Sequence, residues 1–305
     1  MKLIVVIVTY NGMAWIDKCL GSLQNATIKP DVFLVDNGSN DGTQAFVLEK
    51  YPEVMFHQSE KNLGFGKANN LGLQYALDQN YDFVYLLNQD AWVEPNTFEL
   101  LIDCMQRHPE YGILSPLQCQ ANMKNLDESF LNCLTSLFKK ELLSRIVNCA
   151  LMDKKENEPY EVGMTMAAHW MISRRCLEIV GGFSPTFPHY GEDVNYNDRM
   201  HYKKLKMGVV LGAKAVHDRE NRKNEVKKLM QMSYMAELVY LSNPTIKMKP
   251  WLFRFFSNFI FFVRKYKTLT YLKYLFLVLK NYSLIKCNKK ISMYSNCPFL
   301  NMERS

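Results

Sequence analysis

Residues 3–8 read LIVVIV, an unbroken apolar run that is almost wholly β-branched. A strand with one wet face alternates apolar and polar side chains. An unbroken run marks a strand covered on both faces, the habit of a parallel sheet flanked by helices. The residues that follow keep that rhythm. Trp15, Ile16, Cys19, Leu20 and Leu23 recur at helical spacing and predict a helix over 13–25. A second strand, Val32 to Val35, runs into Asp36-Asn37-Gly38-Ser39. A helix over 41–50, a strand from Val54 to His57, a helix over 66–79 and a strand from Phe83 to Leu87 complete the series. The order βαβαβαβ predicts an α/β fold in which the first 115 or so residues form an open, mostly parallel, Rossmann-like sheet with flanking helices.

Ligands of such sheets sit beyond the carboxyl ends of the strands. Polar residues gather at three of those ends: Thr9-Tyr10-Asn11, Asp36-Asn37 and Asn88-Gln89-Asp90. Turns alone favour Asn, Asp and Gly, but three such ends on one edge are read as a binding site. Asp36 is placed to accept hydrogen bonds from a ligand. The segment NLGFGKANN, residues 62–70, contains GxG but not GxGxxG and follows the third strand, which weakens a dinucleotide-binding or oxidoreductase reading. Its glycines allow unusual backbone angles, Asn62 and Asn69 offer amides, and Lys67 near a helix start suits a phosphorylated ligand, although a plain capped loop fits equally. Asp90 is a candidate ligand for Mg²⁺ or Mn²⁺, which need one or two protein carboxylates when phosphates and water fill the other positions. No role is read for Gln89.

Further along, Glu192 and Asp193 open a helix predicted from Val194 to Tyr202. They are either dipole complements at a helix start or a general base for an acceptor hydroxyl. His217-Asp218-Arg219 follows a strand predicted from Met207 to Val216. His217 can join the same metal, and Arg219 with Arg222 can neutralise phosphate.

The eight cysteines form no CxxC pair or regular framework, which points to reduced thiols in a cytoplasmic protein. The opening MKLIVVIVTYNG has no small-residue cleavage site after its short apolar run, so it reads as a strand and not a signal peptide. From Leu238 to Met302 there are eleven Lys or Arg and no Asp or Glu, which leaves the rest of a +7 chain at −4. A mildly acidic body argues against nucleic acid as a partner, and a basic tail argues for an anionic surface. Within that tail WLFRFFSNFIFFVRKYK, residues 251–267, is too interrupted to span a bilayer. On a helical wheel Leu252, Phe255, Phe256, Phe259, Ile260 and Val263 share one face, with Arg254, Ser257, Asn258 and Lys265 opposite. A second segment, 268–280, repeats the theme. The pattern predicts an amphipathic region over 247–290 that meets an anionic membrane surface, the competing reading being helices packed on the protein's own core. The chain divides at 115 and 225 into an α/β half, a second half of less regular pattern and a basic amphipathic helical region.

Taken in order, VIVTYNG, VDNGSNDGT, NLGFGKANNLG, YLLNQDAWVEP, GGFSPTFPHYGEDVNYNDR and VHDR resemble family 2 glycosyltransferases with the GT-A fold, most closely the bacterial rhamnosyltransferase-like branch. The resemblance covers roughly residues 1–225, and it implies a nucleotide-sugar-binding half over 1–115 and an acceptor-binding and catalytic half over 116–225, with Tyr190 and Trp170 as candidates for stacking on acceptor sugars and Trp170 equally readable as core. It implies that Thr9 and Asn11 lie near the base of a nucleotide and that Asp36 hydrogen-bonds uracil or thymine. It puts Asn62 and Asn69 in the loop over the nucleotide. Asp90 becomes the remaining acid of a DxD-type metal motif, His217 a completing ligand and Asp193 the catalytic base. Two positions depart from the family pattern: Asn88 begins the metal motif, and Asn195 stands where a second carboxylate is common. The implied reaction is inverting transfer from a UDP- or dTDP-sugar, dTDP-rhamnose among them, to a hydroxyl of a glycan or lipid-linked glycan in cell-surface polysaccharide synthesis. It would take place at the cytoplasmic face of a membrane. The alternative is a non-catalytic glycan- or nucleotide-binding subunit on the same fold.

Overall fold

The computed structural model of the chain describes residues 1–137, 157–218, 226–246 and 251–300. Its strands are β1 (Leu3–Thr9), β2 (Asp31–Asp36), β3 (Met55–Gln58), β4 (Phe83–Asn88), β5 (Ala91–Val93), β6 (Tyr111–Cys119), β7 (Pro159–Val162), β8 (His169–Ser173) and β9 (Lys206–His217). Its helices, renumbered in chain order, are α1 (Ile16–Gln24), α2 (Thr43–Lys50), α3 (Phe65–Asp78), α4 (Thr97–Arg107), α5 (Glu128–Leu137), α6 (Arg174–Val180), α7 (Glu192–Tyr202), α8 (Val226–Ser242), α9 (Trp251–Tyr266) and α10 (Leu272–Tyr294).

All nine strands join one sheet in the order β3-β2-β1-β4-β8-β6-β9-β5, with β7 paired to β9 off that path. The first four neighbours run parallel, so the ends of β2, β1 and β4 lie side by side on one edge. β8 enters antiparallel between β4 and β6, and β9 runs parallel to β6. The unbroken apolar run of β1 is explained directly. Leu3, Val5 and Ile7 pack with α1, α2 and α4 on one face. Ile4 and Val6 pack on the other face with α3, α5, α6 and α7.

The three last helices share a separate core, built from residues such as Met230, Leu238, Trp251, Phe255, Phe262 and Tyr271, which also takes in Phe187. Phe255 and Phe262 stack on Tyr271 with ring centroids 5.0 and 4.8 Å apart. This corrects the helical wheel, which grouped Phe255 with Leu252 and Ile260. Part of the polar side of α9 also faces α8: Arg254 Nε and Asn258 Nδ2 donate to the buried carboxylate of Glu237 at 3.3 and 2.6 Å, with Arg254 still exposed. Leu252, Phe253, Phe256, Ile260 and Phe261 are left exposed. No helix among the described residues is long and apolar enough to cross a membrane.

A short segment after α10 returns to the sheet domain. Cys297 N–H donates to Glu178 O and Gly182 N–H to Pro298 O, at 2.8 and 2.9 Å. Asn70 Nδ2 reaches both Phe183 O and Phe299 O, and Phe299 and Leu300 are buried.

Candidate active site

The site is built on the edge where β1, β2 and β4 end. At the end of β2, Asp36 is fully buried, and its Oδ1 accepts the N–H groups of Gly38 and Ser39 at 2.9 and 2.7 Å. Its Oδ2 has no hydrogen-bond partner among the described residues. A buried carboxylate oxygen without a donor is unfavourable unless a ligand supplies one. Asn11, with a left-handed φ of 52°, ties this end to the next: its N–H donates to Ser39 Oγ and its Oδ1 accepts from Asn40 N–H. Thr9 is buried, and its hydroxyl donates to Gln89 Oε1 at 2.7 Å.

Gln89 therefore has a role that the sequence did not suggest. Its Oε1 also accepts from Tyr10 N–H at 2.8 Å, and its Nε2 donates back to Tyr10 O at 3.3 Å. This amide clamps the end of β1 to the end of β4. Gly12 lies against the clamp, where a Cβ would fall 2.3 Å from Thr9 Oγ1 and 2.8 Å from Gln89 Oε1.

The glycine-rich turn is held from both sides. Asn62 Oδ1 accepts from Asn37 Nδ2 and from Gly64 N–H, and Asn37 Oδ1 accepts from Leu63 N–H. Gly64 has φ +80°, and a Cβ there would sit 2.3 Å from Pro188 O, so only glycine lets the turn meet the loop that leads to α7. Asn70 and Phe183 exchange two hydrogen bonds that join α3 to the same region. Lys67 is exposed in the first turn of α3. Asn69 does not join the site: it is buried, and its Nδ2 donates to Phe65 O within its own helix.

Two acids begin α7. Glu192 is 5% exposed, and its Cβ lies 3.8 Å from where a Cβ of Gly66 would stand. Burial, with the charge of Asp193 second, pushes its carboxyl up to about 7. Its Oε2 has no hydrogen-bond partner among the described residues. Asp193 is half-buried, and its Oδ1 accepts from Val194 N–H at 2.8 Å. Asn195, the second departure from the family pattern, has a structural use. It is buried and accepts from Arg199 Nε at 3.1 Å, and the Arg199 guanidinium donates to Val180 O and Gly182 O, both at 2.7 Å.

Asp90 and His217 meet through β5 and β9, where Ala91 pairs with His217 and Asp218 N–H donates to Asp90 O. Asp90 Oδ1 and His217 Nε2 stand 3.4 Å apart, with Asn88 Nδ2 also 3.4 Å from that nitrogen. Neighbouring ligands of an octahedral cation at about 2.1 Å stand roughly 3 Å apart, so one carboxylate and one imidazole fit two corners of such a shell. Among the described residues no group of three or more His, Cys, Asp or Glu could hold a metal ion. The other corners would fall to ligand oxygens and water.

Behind this pair lies His169, which sequence reading passed over because it sits inside an apolar strand. It is fully buried. Its Nε2 donates to Val216 O at 3.0 Å, which leaves Nδ1 to accept from Tyr85 OH at 2.9 Å. Burial first, and the neighbouring His217 second, lower its imidazole to about 3, so the ring is neutral.

Trp170 is not a sugar platform. It is fully buried, stacks on Phe183 at 6.4 Å and donates from Nε1 to Thr165 Oγ1 at 3.0 Å. On β8 its side chain joins the core with Ile172, while Met171 faces the opposite core. Tyr190 is exposed, with φ +68° and its ring against His189. Arg219 and Arg222 lie outside the described residues.

Residues 4–177 match the family model for Glycosyl transferase family 2. The chain is 29% identical over 214 residues to the N-acetylglucosaminyl-diphospho-decaprenol L-rhamnosyltransferase of Mycobacterium tuberculosis, covering 64% of this chain and 69% of the relative. It is 28% identical over 110 residues to the undecaprenyl-phosphate mannosyltransferase of Micrococcus luteus, covering 35% of this chain and 45% of the relative. Among solved structures it resembles S. aureus TarS 1–349 in complex with UDP-GlcNAc, with TM-score 0.52, 17% identity and coverage of 84% of this chain and 73% of that one. It spans 41% of a longer TarS chain. It also resembles GalNAc-T7 with UDP, GalNAc and Mn²⁺, with TM-score 0.59, 16% identity and coverage of 82% of this chain and 52% of that one. At these identities the structural likeness is one of fold, and that fold is GT-A. The family model spans more than half of the chain, and the chain belongs to glycosyltransferase family 2, in its rhamnosyltransferase-like bacterial branch.

Proposed function

We propose that the protein transfers a sugar, with inversion, from a nucleotide diphosphate donor to a hydroxyl of a glycan or lipid-linked glycan used in cell-surface polysaccharide synthesis. One observation carries the reading: the acidic start of α7 is held against the glycine-rich turn by the Gly64–Pro188 approach and the Asn70–Phe183 pair. A general base next to a donor loop is what glycosyl transfer to a hydroxyl requires.

In this reading Asp36 Oδ2 accepts the N3–H of uracil or thymine, which would satisfy an oxygen that otherwise has no donor. Asn11 and Asn62 hold the turns that shape the base and ribose pocket, and Lys67 contributes positive charge at the start of α3. Asp90 and His217 would hold a Mg²⁺ or Mn²⁺ ion, which when bound stabilises charge on the leaving diphosphate. Asp193 removes the acceptor proton as the hydroxyl attacks the anomeric carbon. Glu192, buried beneath the turn, can donate or accept a hydrogen bond to a sugar hydroxyl according to its protonation. Tyr190 offers an exposed ring to the acceptor.

The likeness to a relative named as an L-rhamnosyltransferase acting on a decaprenol-linked sugar supports dTDP-rhamnose as donor and a polyprenyl-diphosphate-linked glycan as acceptor. The test begins with thermal stabilisation by a panel of UDP- and dTDP-sugars. Release of nucleoside diphosphate is then measured with the stabilising donor and a GlcNAc-diphosphate-lipid acceptor. Stabilisation by a donor followed by acceptor-dependent release supports transfer. Donor binding without any release across acceptors would favour a binding subunit.

A further inference from the structure

We infer that the outward face of α9 and α10 is a docking surface for an anionic lipid bilayer. Helices of a water-soluble domain turn their apolar side inward, and these two do so only in part. α9 buries Trp251, Phe255 and Phe262 yet leaves Leu252, Phe256, Ile260 and, at 82% exposure, Phe253 in solvent. α10 buries Tyr274, Val278 and Ile285 yet exposes Leu272, Phe276 and Leu279, spaced as one helical stripe, with Phe276 67% exposed. Leu269 between the helices is exposed as well. Meanwhile Asn258 is drawn inward by Glu237, and Arg254 pairs with the same carboxylate while staying 45% exposed, so it adds a cation at the edge of the face. Exposed apolar patches of this kind mark interaction sites.

Charge selects the occupant. Lys273 and Lys280 border the α10 stripe, and Arg264, Lys265 and Lys267 close α9 and its following turn, all of them exposed. From Leu238 to Met302 no acidic residue balances them. A second copy would bring like charges together. Of the stretches of this chain outside the described residues, 138–156, 219–225 and 247–250 are net basic in sequence and 301–305 is neutral, so none can neutralise the face. Leucine and isoleucine side chains among the cations suit acyl chains under anionic head groups.

The position of the face gives it a use that rests on the proposed function. α8 packs beside α7, and a Cβ on Gly191 would stand 3.1 Å from Val239. Asn288 of α10 donates to Thr186 Oγ1 in the loop before α7. α10, which carries part of the face, and α8, which shares its core, therefore brace the loop that presents Asp193, where a lipid-linked acceptor would have to arrive.

The experiment is flotation of the full chain with vesicles of phosphatidylcholine and phosphatidylglycerol, against pure phosphatidylcholine, at low and high salt. The wild type should float with the anionic vesicles and lose binding as salt rises, since each Lys or Arg near such a surface strengthens binding by roughly fivefold at low salt. The double variant Phe253→Ser/Phe276→Ser should lose on the order of 100-fold in partitioning. Its donor-induced thermal stabilisation should stay at the wild-type level, showing an intact fold. Wild-type protein that remains at the bottom of the gradient overturns the inference, as does equal binding by the double variant. A lipid-free, concentration-dependent dimer abolished by the double variant would assign the face to a second copy, and displacement from vesicles by equimolar oligonucleotide would assign it to nucleic acid; either overturns it. Flotation without any nucleotide-sugar binding would instead leave the surface standing and remove the proposed reaction.

Discussion

Replacing Glu192 by Gln tests the buried start of α7 through stability and not through turnover. The carboxyl titrates near 4.5 when solvated and at about 7 in the fold, raised by burial and then by Asp193. A group whose pKa rises on folding contributes most below its unfolded value and loses that contribution as pH climbs through the folded one. The window is therefore pH 4.5 to about 7. A displacement of this size corresponds to about 3 kcal/mol across the window, at 1.36 kcal/mol per unit. At about 2 °C per kcal/mol for a large domain, that is roughly 6 °C in Tm. Glutamine keeps the shape and cannot ionise. Glu192→Gln should therefore melt with the wild type at pH 4, below the window, and about 6 °C above it at pH 8.5. Differential scanning fluorimetry across pH reads this directly. Asp198, also raised by burial to about 6, titrates in both proteins and cancels in the comparison. Parallel Tm curves for the two proteins would refute the reasoning, because they would mean that Glu192 ionises in the fold without penalty.

Three further outcomes are expected. Asp193→Asn should lower kcat by about 10²–10⁴-fold while the donor dissociation constant changes less than about twofold, measured by diphosphate release and by calorimetry; an active variant would remove the base assignment. Asp90→Asn should abolish the Mn²⁺-dependent part of donor binding and leave metal-free Tm unchanged, as read by donor titration with and without Mn²⁺. Trp170→Ala should destabilise the chain by about 3–5 kcal/mol in a denaturant titration, whereas Trp170→Phe should retain the acceptor KM of the wild type; a raised KM with normal stability would return Trp170 to the acceptor site.

The first half of the molecule was legible because its signals are local. The both-faces-buried pattern of Leu3 to Val8 and the helical spacing of Ile16, Cys19 and Leu20 are each set within a few residues, and the observed elements begin and end close to the expected ones. The polar ends were legible for the same reason, since Asp36 and Asp90 follow strands that can be read. Gln89 was not, because its bonds to Thr9 and Tyr10 join positions about 80 residues apart and a glutamine in a turn has no signature. His169 escaped for a related reason: its partners, Tyr85 and Val216, lie on strands brought together only by the insertion of β8 beside β4. Trp170 showed how an aromatic residue in a strand reads either way until its face is known. In α9 the wheel had the right helix and the wrong inner side, because Glu237 on α8 attracts the polar residues that a free amphipathic helix would give to water.

The short segment at 297–300 has a consequence for how the chain is made. Its bonds to Gly182 and Asn70 link positions up to 229 residues apart, and Phe299 lies 5.2 Å from the Arg199 guanidinium. Contacts of such long sequence separation form late and slow folding. During synthesis from the N-terminus the sheet can assemble early, but the turn at Gly181–Gly182 gains its last partners only after α10 has emerged. The part of the fold that carries α6 and α7, and the basic helices, therefore mature together, so a protein shortened ahead of residue 297 should collect in a partly folded, protease-sensitive state even though every strand of the sheet is present.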